Sequence, residues 1–542
     1  MNTKFKYIFS ASALLLSLGL SSCVGDLDVK PIDPNLKTNV NVPAENLFNK
    51  CYAHIAVAGN GGANGNSDVD GIDGGTSGYV RQLFNSQELT TDEAICAWTD
   101  EGIGTLNFNN YDSSHKMLKG FYYRLYAGIN FCNQYLADYG GYNEQMSAEV
   151  RFIRALNYYY LLDGWGNVPF TIAISSEKPS RIKRADLYKW LVDELQKEVE
   201  PKLNEPAPKT SATKGYGRVD KAAAWMLLAR LYLNAEVYTG KADLANAKTY
   251  AKKVIDSPYK LYTKKNGQWS AYQQLFMGDN GENGASIEAI FPLLQDGKLT
   301  TSYGTTLFLM AGSNDNHELV NSEGIKGNNT TGGWAGNRMR PDLVQKFFPD
   351  NDAPNKEAYK MPGVAKDDRA LFDGKGRNVS NGDNEKDLSK FTNGFSVCKF
   401  NNFKTDGSAG KDPLFPETDF FLMRSAEAYL IFAEADARLN GGTTTAEGAS
   451  YINALRDRAH AAKQTAYSLR QICDEWSREF YFEGLRRTTL IRFGYFGGNV
   501  NYNWSWKGGV KNGRDFDSYL NLFPIPTSDM VANSNLIQNP GY

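Results

Sequence analysis

The chain has 542 residues, enough for one large domain or several ordinary ones with a sizeable core. Hydrophobic residues make up 42% and charged residues 22%, which excludes a disordered chain. The net charge of −2 gives no sign of the concentrated basic face that nucleic-acid binding requires. Aromatic residues reach 13%, which favours surfaces that are apolar and hydrogen-bonding at once.

The first residues have the pattern of a bacterial lipoprotein signal. A short basic start precedes the apolar run Ile8 to Leu20, which is too short for a stable membrane span. Leu20-Ser21-Ser22-Cys23 then matches a lipobox. We therefore predict a signal peptide over residues 1–22, lipid on Cys23 and a tether over residues 23–45. Ordinary secretion with an accidental Cys is the alternative.

Metal-binding patterns are weak along the chain. The five cysteines beyond the lipobox are far apart and odd in number, so buried free thiols are expected rather than disulfides or a zinc site. The four histidines show no paired metal-binding spacing. Asn66-x-Asp68-x-Asp70-Gly71 loosely matches a calcium loop, but Ser77 stands where the loop needs Glu. We predict no metal or cofactor, with calcium at this loop as the alternative.

Helical periodicity is strong in the first half of the chain. Phe121 to Leu136 and Ala148 to Leu162 predict one packed helix pair, and Leu187 to Leu195 predicts a further helix. Trp225 to Tyr232 fits W-x-x-L-A-x-x-Y, the first helix of a tetratricopeptide (TPR) repeat. Leu244 to Ile255 predicts the second helix of that repeat.

A similar pair recurs in the second half, where Ala426 to Ala437 is followed after two glycines by Ala446 to Ala459. The pattern suggests about four TPR-type helix pairs in a mostly α-helical fold with little β structure. They would form a scaffold mainly within residues 115–260 and 420–495. We expect no catalytic or ligand-binding role for these helices, because their faces are buried against each other.

Long polar stretches separate the helical regions. Residues 59–110 and 279–416 are rich in Gly, Asn, Asp and Thr and carry only short apolar runs. Loops of this length inside a compact protein are usually functional. We therefore predict a single domain over residues 46–542, with a binding surface of loops on a helical frame.

Six short motifs occur along the mature chain: Arg151-Phe152-Ile153-Arg154-Ala155, Gly166-Asn167-Val168-Pro169, Arg230-Leu231-Tyr232-Leu233, Arg424-Ser425-Ala426-Glu427, Glu479-Phe480-Tyr481-Phe482-Glu483-Gly484 and Pro524-Ile525-Pro526. Together they resemble the SusD/RagB family of glycan-binding outer-membrane lipoproteins. The resemblance implies the SusD-like fold. Thr489 departs from the family pattern, and we expect it to affect local packing only.

The resemblance is stronger towards a starch-binding member, in which an arc of aromatic side chains holds a curved α-glucan. Carried over by position, the glycan-binding rings would be Trp98, Tyr303 and Trp334. Arg81 and Asp73 would be their polar partners. Glu101 stands where an Asn is expected to bond sugar hydroxyls, and Cys96 replaces a further Trp. Without the resemblance, the rings would be read as core residues and the two charges as a surface ion pair.

The resemblance also implies a non-catalytic role. The protein would capture starch or other α-glucan oligosaccharides for import through a SusC-like TonB-dependent transporter. Asp26 and Asp28 after the lipobox resemble a surface-export signal, which predicts an anchor in the outer membrane facing the exterior.

Two other functions remain open from the sequence. A surface glycoside hydrolase would need two carboxylates facing each other across a cleft, and no motif marks such a pair. A TPR adaptor would bind a peptide on its helical concave face, so its affinity would not depend on Trp98 or Trp334.

Overall fold

The computed structural model describes residues 42–315, 330 and 332–542, so the predicted signal peptide and Cys23 lie outside the described residues. Contacts divide the chain into two units, residues 1–46 and residues 47–542. Nineteen α-helices fall within the described residues: α1 Ala44–Ala56, α2 Tyr79–Gln87, α3 Ile103–Asn107, α4 Lys116–Tyr139, α5 Glu144–Gly164, α6 Arg184–Glu194, α7 Lys221–Leu233, α8 Ala235–Thr239, α9 Leu244–Asp256, α10 Ala271–Gln274, α11 Thr306–Ala311, α12 Pro341–Phe347, α13 Met361–Ala365, α14 Glu385–Leu388, α15 Ala426–Leu439, α16 Ala446–Arg458, α17 Leu469–Phe480, α18 Arg486–Arg492 and α19 Thr527–Ala532.

The predicted helix pairs are present. Helix α4 packs on α5, α7 on α9, and α15 on α16. Helix α9 also packs on α15, which joins the scaffold of the first half to that of the second. Small buried residues such as Ala247 and Ala251 permit the close approach of α9 to its neighbours. The mostly helical class is confirmed, whereas the TPR type of these pairs stays a prediction.

The β structure is minor. The strands are β1 Gly59–Asn60, β2 Asn66–Ser67, β3 Ala94–Cys96, β4 Val168–Pro169, β5 Arg181–Ile182, β6 Ala289–Leu293, β7 Asn337–Met339, β8 Phe372–Asp373, β9 Ser396–Val397 and β10 Phe420–Arg424. They form antiparallel pairs, β1 with β2, β3 with β7, β4 with β5, β6 with β10 and β8 with β9. The polar stretches 59–110 and 279–416 therefore contain short strands and helices, such as β6 and α11, that the sequence did not predict.

A buried ionic network joins several of the motifs that carry the family resemblance. The Arg424 guanidinium pairs with Glu479 at 2.6 Å, Glu483 at 2.7 Å and Glu288 at 3.0 Å. The side chains of Arg424 and Glu479 are fully buried. Arg230 pairs with Glu427 at 2.6 Å in the same interior. These motifs therefore hold the scaffold together rather than face a ligand, because a buried charge is tolerated only when it is paired.

Two further expectations concern the cysteines and Thr489. Cys51, Cys96, Cys132, Cys398 and Cys473 are free and buried, as predicted. Thr489 is buried, and its hydroxyl donates to the Leu485 carbonyl, so the departure at this position has a local packing role. Within the described ranges, every helix is too short or too polar to cross a bilayer.

Candidate functional site

Strand pairing brings two of the predicted rings together. Strand β3 runs antiparallel to β7, with Cys96 opposite Asn337. Trp98 follows β3 by two residues and Trp334 precedes β7 by three, so both emerge at the same end of the pair. The Ala97 amide donates to the Gly336 carbonyl at 2.9 Å and continues the pairing towards this end.

The Trp98 indole packs against two glycines whose lack of a side chain leaves room for it. A Cβ on Gly336 would collide with the indole, and one on Gly312 would lie 3.3 Å from it. Phe308 meets the ring edge-on, with centroids 6.0 Å apart. Trp98 Nε1 donates to the Trp334 carbonyl oxygen at 2.8 Å. The polar edge of the indole is therefore satisfied within the protein.

The segment around Trp334 is fixed by backbone hydrogen bonds. The Trp334 amide donates to the Ala311 carbonyl at 2.6 Å, and the Ala335 amide donates to the Asn314 carbonyl at 3.0 Å. Ala335 has φ of +50°, a left-handed conformation that costs a non-glycine residue about 1–2 kcal/mol. These hydrogen bonds at the end of α11 hold that conformation and set the direction of the Trp334 ring.

Two glycine-rich loops position Tyr303. A Cβ on Gly75 would lie 2.8 Å from the Cβ of Tyr303, so only glycine leaves space for that side chain. Gly78 and Gly304 touch through their backbones, where a Cβ on Gly78 would lie 2.6 Å from the Cα of Gly304. The Arg81 amide donates to the Gly304 carbonyl at 2.9 Å and joins the first turn of α2 to this loop.

The three rings form one cluster, as predicted. The Trp98 and Trp334 centroids are 6.4 Å apart with planes tilted by 49°. Those of Tyr303 and Trp334 are also 6.4 Å apart, with a tilt of 43°. All three side chains are half-buried rather than sealed in the core. The rings therefore make a continuous, non-planar aromatic surface, and their role in ligand binding stays a prediction.

Arg81 lies beneath this surface. Its guanidinium is 5.3 Å from the Trp98 ring and 5.2 Å from the Phe308 ring, both cation–π contacts. Arg81 is 8% exposed, and within the described part of the chain its Nε has no hydrogen-bond partner. Burial lowers the pKa of Arg81, although the charge of Asp73 opposes the shift. An arginine remains charged after such a shift, so one cation supports the arc from below.

Asp73 is an exposed polar group of the predicted site. Burial alone would raise the pKa of Asp73, but hydrogen bonds from Thr76 and the charge of Arg81 outweigh it and lower the pKa. The Thr76 amide donates to Asp73 Oδ1 at 2.9 Å. The carboxylate is therefore ionised at neutral pH and can accept hydrogen bonds from a ligand.

The two departures from the family pattern occupy different surroundings. Glu101 has a side chain that is 73% exposed and pairs with Lys116 at 3.5 Å at the start of α4. The ring contacts and the cation–π contact join the three rings and Arg81. The ion pair with Lys116 instead places Glu101 beside α4. Cys96 is buried within β3, and burial raises the pKa of its thiol to about 12. Cys96 therefore adds nothing to the exposed surface.

Sequence reasoning missed two rings of this region. Phe308 lies on α11 beneath Trp98, and Phe415 lies beside Tyr303 with centroids 5.2 Å apart. Phe308 sits in the apolar run from Thr306 to Met310, which gave only a core signal. Phe415 stands in the irregular stretch before Pro416, where no periodicity marks it.

A separate cleft is a weaker candidate. It has a volume of about 610 Å³, and its lining includes Tyr122, Tyr123, Tyr126 and Phe131. Tyr122 donates to Asp529 at 2.7 Å and Tyr126 donates to the Pro169 carbonyl at 2.6 Å. These hydroxyls are already committed to protein groups, so the cleft offers less polar recognition than its lining suggests.

In the candidate calcium loop, the carboxylate of Asp68 already forms ion pairs within the protein. Asp68 pairs with Lys50 at 2.6 Å and with Arg124 at 3.5 Å. Over residues 42–315, 330 and 332–542, no group of three or more His, Cys, Asp or Glu side chains is placed to hold a metal ion.

Comparisons with known proteins agree with this architecture. A sequence profile described as SusD family matches residues 287–542. The chain is 40% identical to the starch-binding protein SusD of Bacteroides thetaiotaomicron, with 100% of both chains covered. It is 25% identical to SusD-like protein P2 of Formosa agariphila, over 79% of this chain and 81% of that protein. The chain therefore belongs to the SusD family.

Solved structures share the fold. A SusD superfamily protein from Bacteroides vulgatus matches with a TM-score of 0.65 and 19% identity, over 92% of this chain and 98% of that one. A laminarin binding SusD-like protein matches with a TM-score of 0.64 and 19% identity, over 92% and 99%. At these identities the likeness concerns the fold alone.

Proposed function

We propose that this protein is a non-catalytic glycan-binding protein, and that Trp98, Trp334 and Tyr303 form its sugar-binding surface. One observation carries the proposal. Three half-buried rings from three distant segments meet in one cluster, with neighbouring centroids 6.4 Å apart. Their partial exposure leaves a clustered aromatic surface that a ligand can contact.

Carbohydrate chemistry fits this surface. A sugar ring has an apolar face of C–H bonds and a rim of hydroxyls, and an aromatic ring removes that face from water. The Trp98 N–H is used within the protein, so its indole would contribute apolar contact rather than a hydrogen bond. The ionised carboxylate of Asp73 would accept hydrogen bonds from hydroxyls, and the buried Arg81 would hold the Trp98 ring in place.

The ligand class proposed is starch and other α-glucan oligosaccharides. Support comes from the relative in Bacteroides thetaiotaomicron, which is named as starch-binding and matches along the whole chain. The tilts of 49° and 43° between neighbouring rings also suit a ligand that curves. An α-glucan coil is curved before it binds, so a fixed arc orders it at little cost in chain entropy.

The lipobox and family membership support the proposed cellular role. Lipid on Cys23 would anchor the protein in the outer membrane, facing the exterior. A SusC-like TonB-dependent transporter would be the partner that imports the captured oligosaccharides. The proposed division of labour is capture by this chain and transport by its partner.

A glycan panel on the protein beginning after Cys23 tests the proposal. Amylopectin, pullulan, dextran, cyclodextrins and laminarin would be compared in affinity gels, with reducing-sugar release measured in parallel against an amylase control. We expect retention by amylopectin, pullulan and cyclodextrins and no release of reducing ends. Retention by laminarin alone would reject the α-glucan assignment, and release of reducing ends would favour the hydrolase.

A further inference from the structure

The aromatic series does not end at Tyr303. The Phe415 ring lies beside Tyr303, with centroids 5.2 Å apart and planes tilted by 59°. In spatial order the rings are therefore Trp98, Trp334, Tyr303 and Phe415. Phe415 is half-buried, like the other three. Its partial exposure and its contact with Tyr303 make it a candidate extension of the arc.

A formed turn holds Phe415 in this position. Asp412 Oδ1 accepts hydrogen bonds from the amides of Leu414 at 2.9 Å and Phe415 at 3.1 Å. Its other oxygen pairs with Lys298 at 3.0 Å. These backbone hydrogen bonds, together with Lys298, lower the pKa of Asp412 to about 2, so the capping carboxylate is ionised at neutral pH.

The neighbouring loop approaches the turn closely. Gly297 has φ of +74°, and a Cβ there would lie 3.1 Å from the Phe415 carbonyl oxygen. The stretch that leads to Tyr303 is thus packed against the turn that carries Phe415. The two rings are held by one local structure, so their spacing is set before any ligand arrives.

We propose that Phe415 is a fourth sugar-binding ring, which extends the site beyond Tyr303 and makes it favour longer oligosaccharides. The inference rests on the proposed glycan-binding function. A phenyl ring has no hydrogen-bonding group, so it contributes apolar contact and does not read hydroxyls. Its effect should therefore depend on chain length, because a short oligosaccharide is held by part of the arc while a longer one reaches its end.

Titration calorimetry with two α-glucans tests this inference. Maltotriose and maltoheptaose would be titrated into the full-length mature protein and its Phe415→Ala variant. We expect the affinity for maltoheptaose to fall about tenfold and that for maltotriose to change by less than about twofold. Phe403→Ala is the matched control, since Phe403 is half-buried and stacks on Trp269 with centroids 5.8 Å apart. Its affinities for both sugars should equal those of the unmodified protein.

Two outcomes would overturn the inference while leaving the proposed function intact. In the first, Phe415→Ala changes neither affinity while Trp334→Ala weakens both, which would place the end of the site at Tyr303. An equal loss of affinity for both sugars would show that Phe415 only supports the position of the Tyr303 ring. Failure of the unmodified protein to bind either sugar would instead reject the proposed α-glucan ligand, and the inference with it. A melting-temperature measurement on each variant confirms that the compared proteins are folded.

Discussion

Trp98 Nε1 donates a 2.8 Å hydrogen bond to the backbone carbonyl of Trp334, a residue 236 positions later in the chain. The bond joins the end of β3 to the loop before β7, and it fixes one ring of the cluster to the main chain of the next. The arc is therefore built before ligand binding. A surface of this kind loses little side-chain freedom when it binds, which favours affinity.

Trp334→Ala should weaken binding to cyclodextrin or soluble starch by about 1–3 kcal/mol, because it removes the central ring of the arc. The melting temperature should change little, since the ring is half-buried on a loop. Isothermal titration and a thermal melt measure the two effects. Trp269→Ala is the control, because Trp269 is also half-buried but stacks on Phe403 instead. Equal affinities of Trp334→Ala and the unmodified protein would show that Trp334 does not contact the glycan.

Gly336→Ala should weaken glycan binding without touching any proposed ligand group. Its Cβ would collide with the Trp98 indole and push the ring out of the arc. Gly104→Ala is the control, because a Cβ there meets nothing within 4 Å and Gly104 lies within a helix. That control should bind normally and gain up to about 1 kcal/mol of stability. Normal binding by Gly336→Ala would show that the position of Trp98 is unimportant.

Glu101→Asn should tighten α-glucan binding. An amide both donates and accepts hydrogen bonds, whereas an ionised carboxylate only accepts them. Glu101→Gln is the matched variant, since it changes the charge but keeps the side-chain length. Affinity electrophoresis in amylopectin gels compares the three proteins. Unchanged mobility of Glu101→Asn would leave Glu101 outside the site, beside Lys116 where the structure places it.

Acid should unfold this protein through its buried ionic network. Burial alone would raise the pKa of Glu479, but Arg458, Arg424 and Arg369 outweigh it and lower the pKa to about 2. An unfolded Glu has a pKa of about 4.3, so the stabilisation is complete above that pH. It is then lost as the pH falls from about 4.3 towards 2. Denaturant unfolding at a series of pH values should show this decline.

A pair of variants isolates that contribution. Glu479→Gln should lower the free energy of unfolding by about 3–5 kcal/mol at pH 7, because three buried arginines lose a carboxylate that they share. The deficit should shrink towards pH 3. Asp457→Asn, which breaks the exposed pair with Lys463, should have no measurable effect. A Glu479→Gln deficit that stays constant between pH 7 and pH 3 would contradict the assignment.

The sequence was most informative where a local pattern decides the structure. Periodic apolar residues predicted the helices that form α4, α5, α7, α9, α15 and α16, because a 3.6-residue repeat and small packing residues define such helices without long-range information. The meeting of Trp98, Tyr303 and Trp334 is different. No local pattern connects residues so far apart, and only the family resemblance placed them in one arc.

Long-range contacts explain what the sequence left hidden. Arg424 and Glu479 look like ordinary surface charges in the sequence, and their burial depends on elements that meet only in the folded chain. Phe415 gave no signal either, since its place beside Tyr303 depends on the Asp412 turn and on the approach of the Gly297 loop. Charges and single aromatics in irregular segments acquire their roles from tertiary structure.

A crystal structure of the mature protein with maltoheptaose tests the central claim most directly. We predict sugar density along the arc, with pyranose rings against the faces of Trp98, Trp334 and Tyr303. Density in the cleft lined by Tyr122 and Tyr126, with those three rings left bare, would contradict the account.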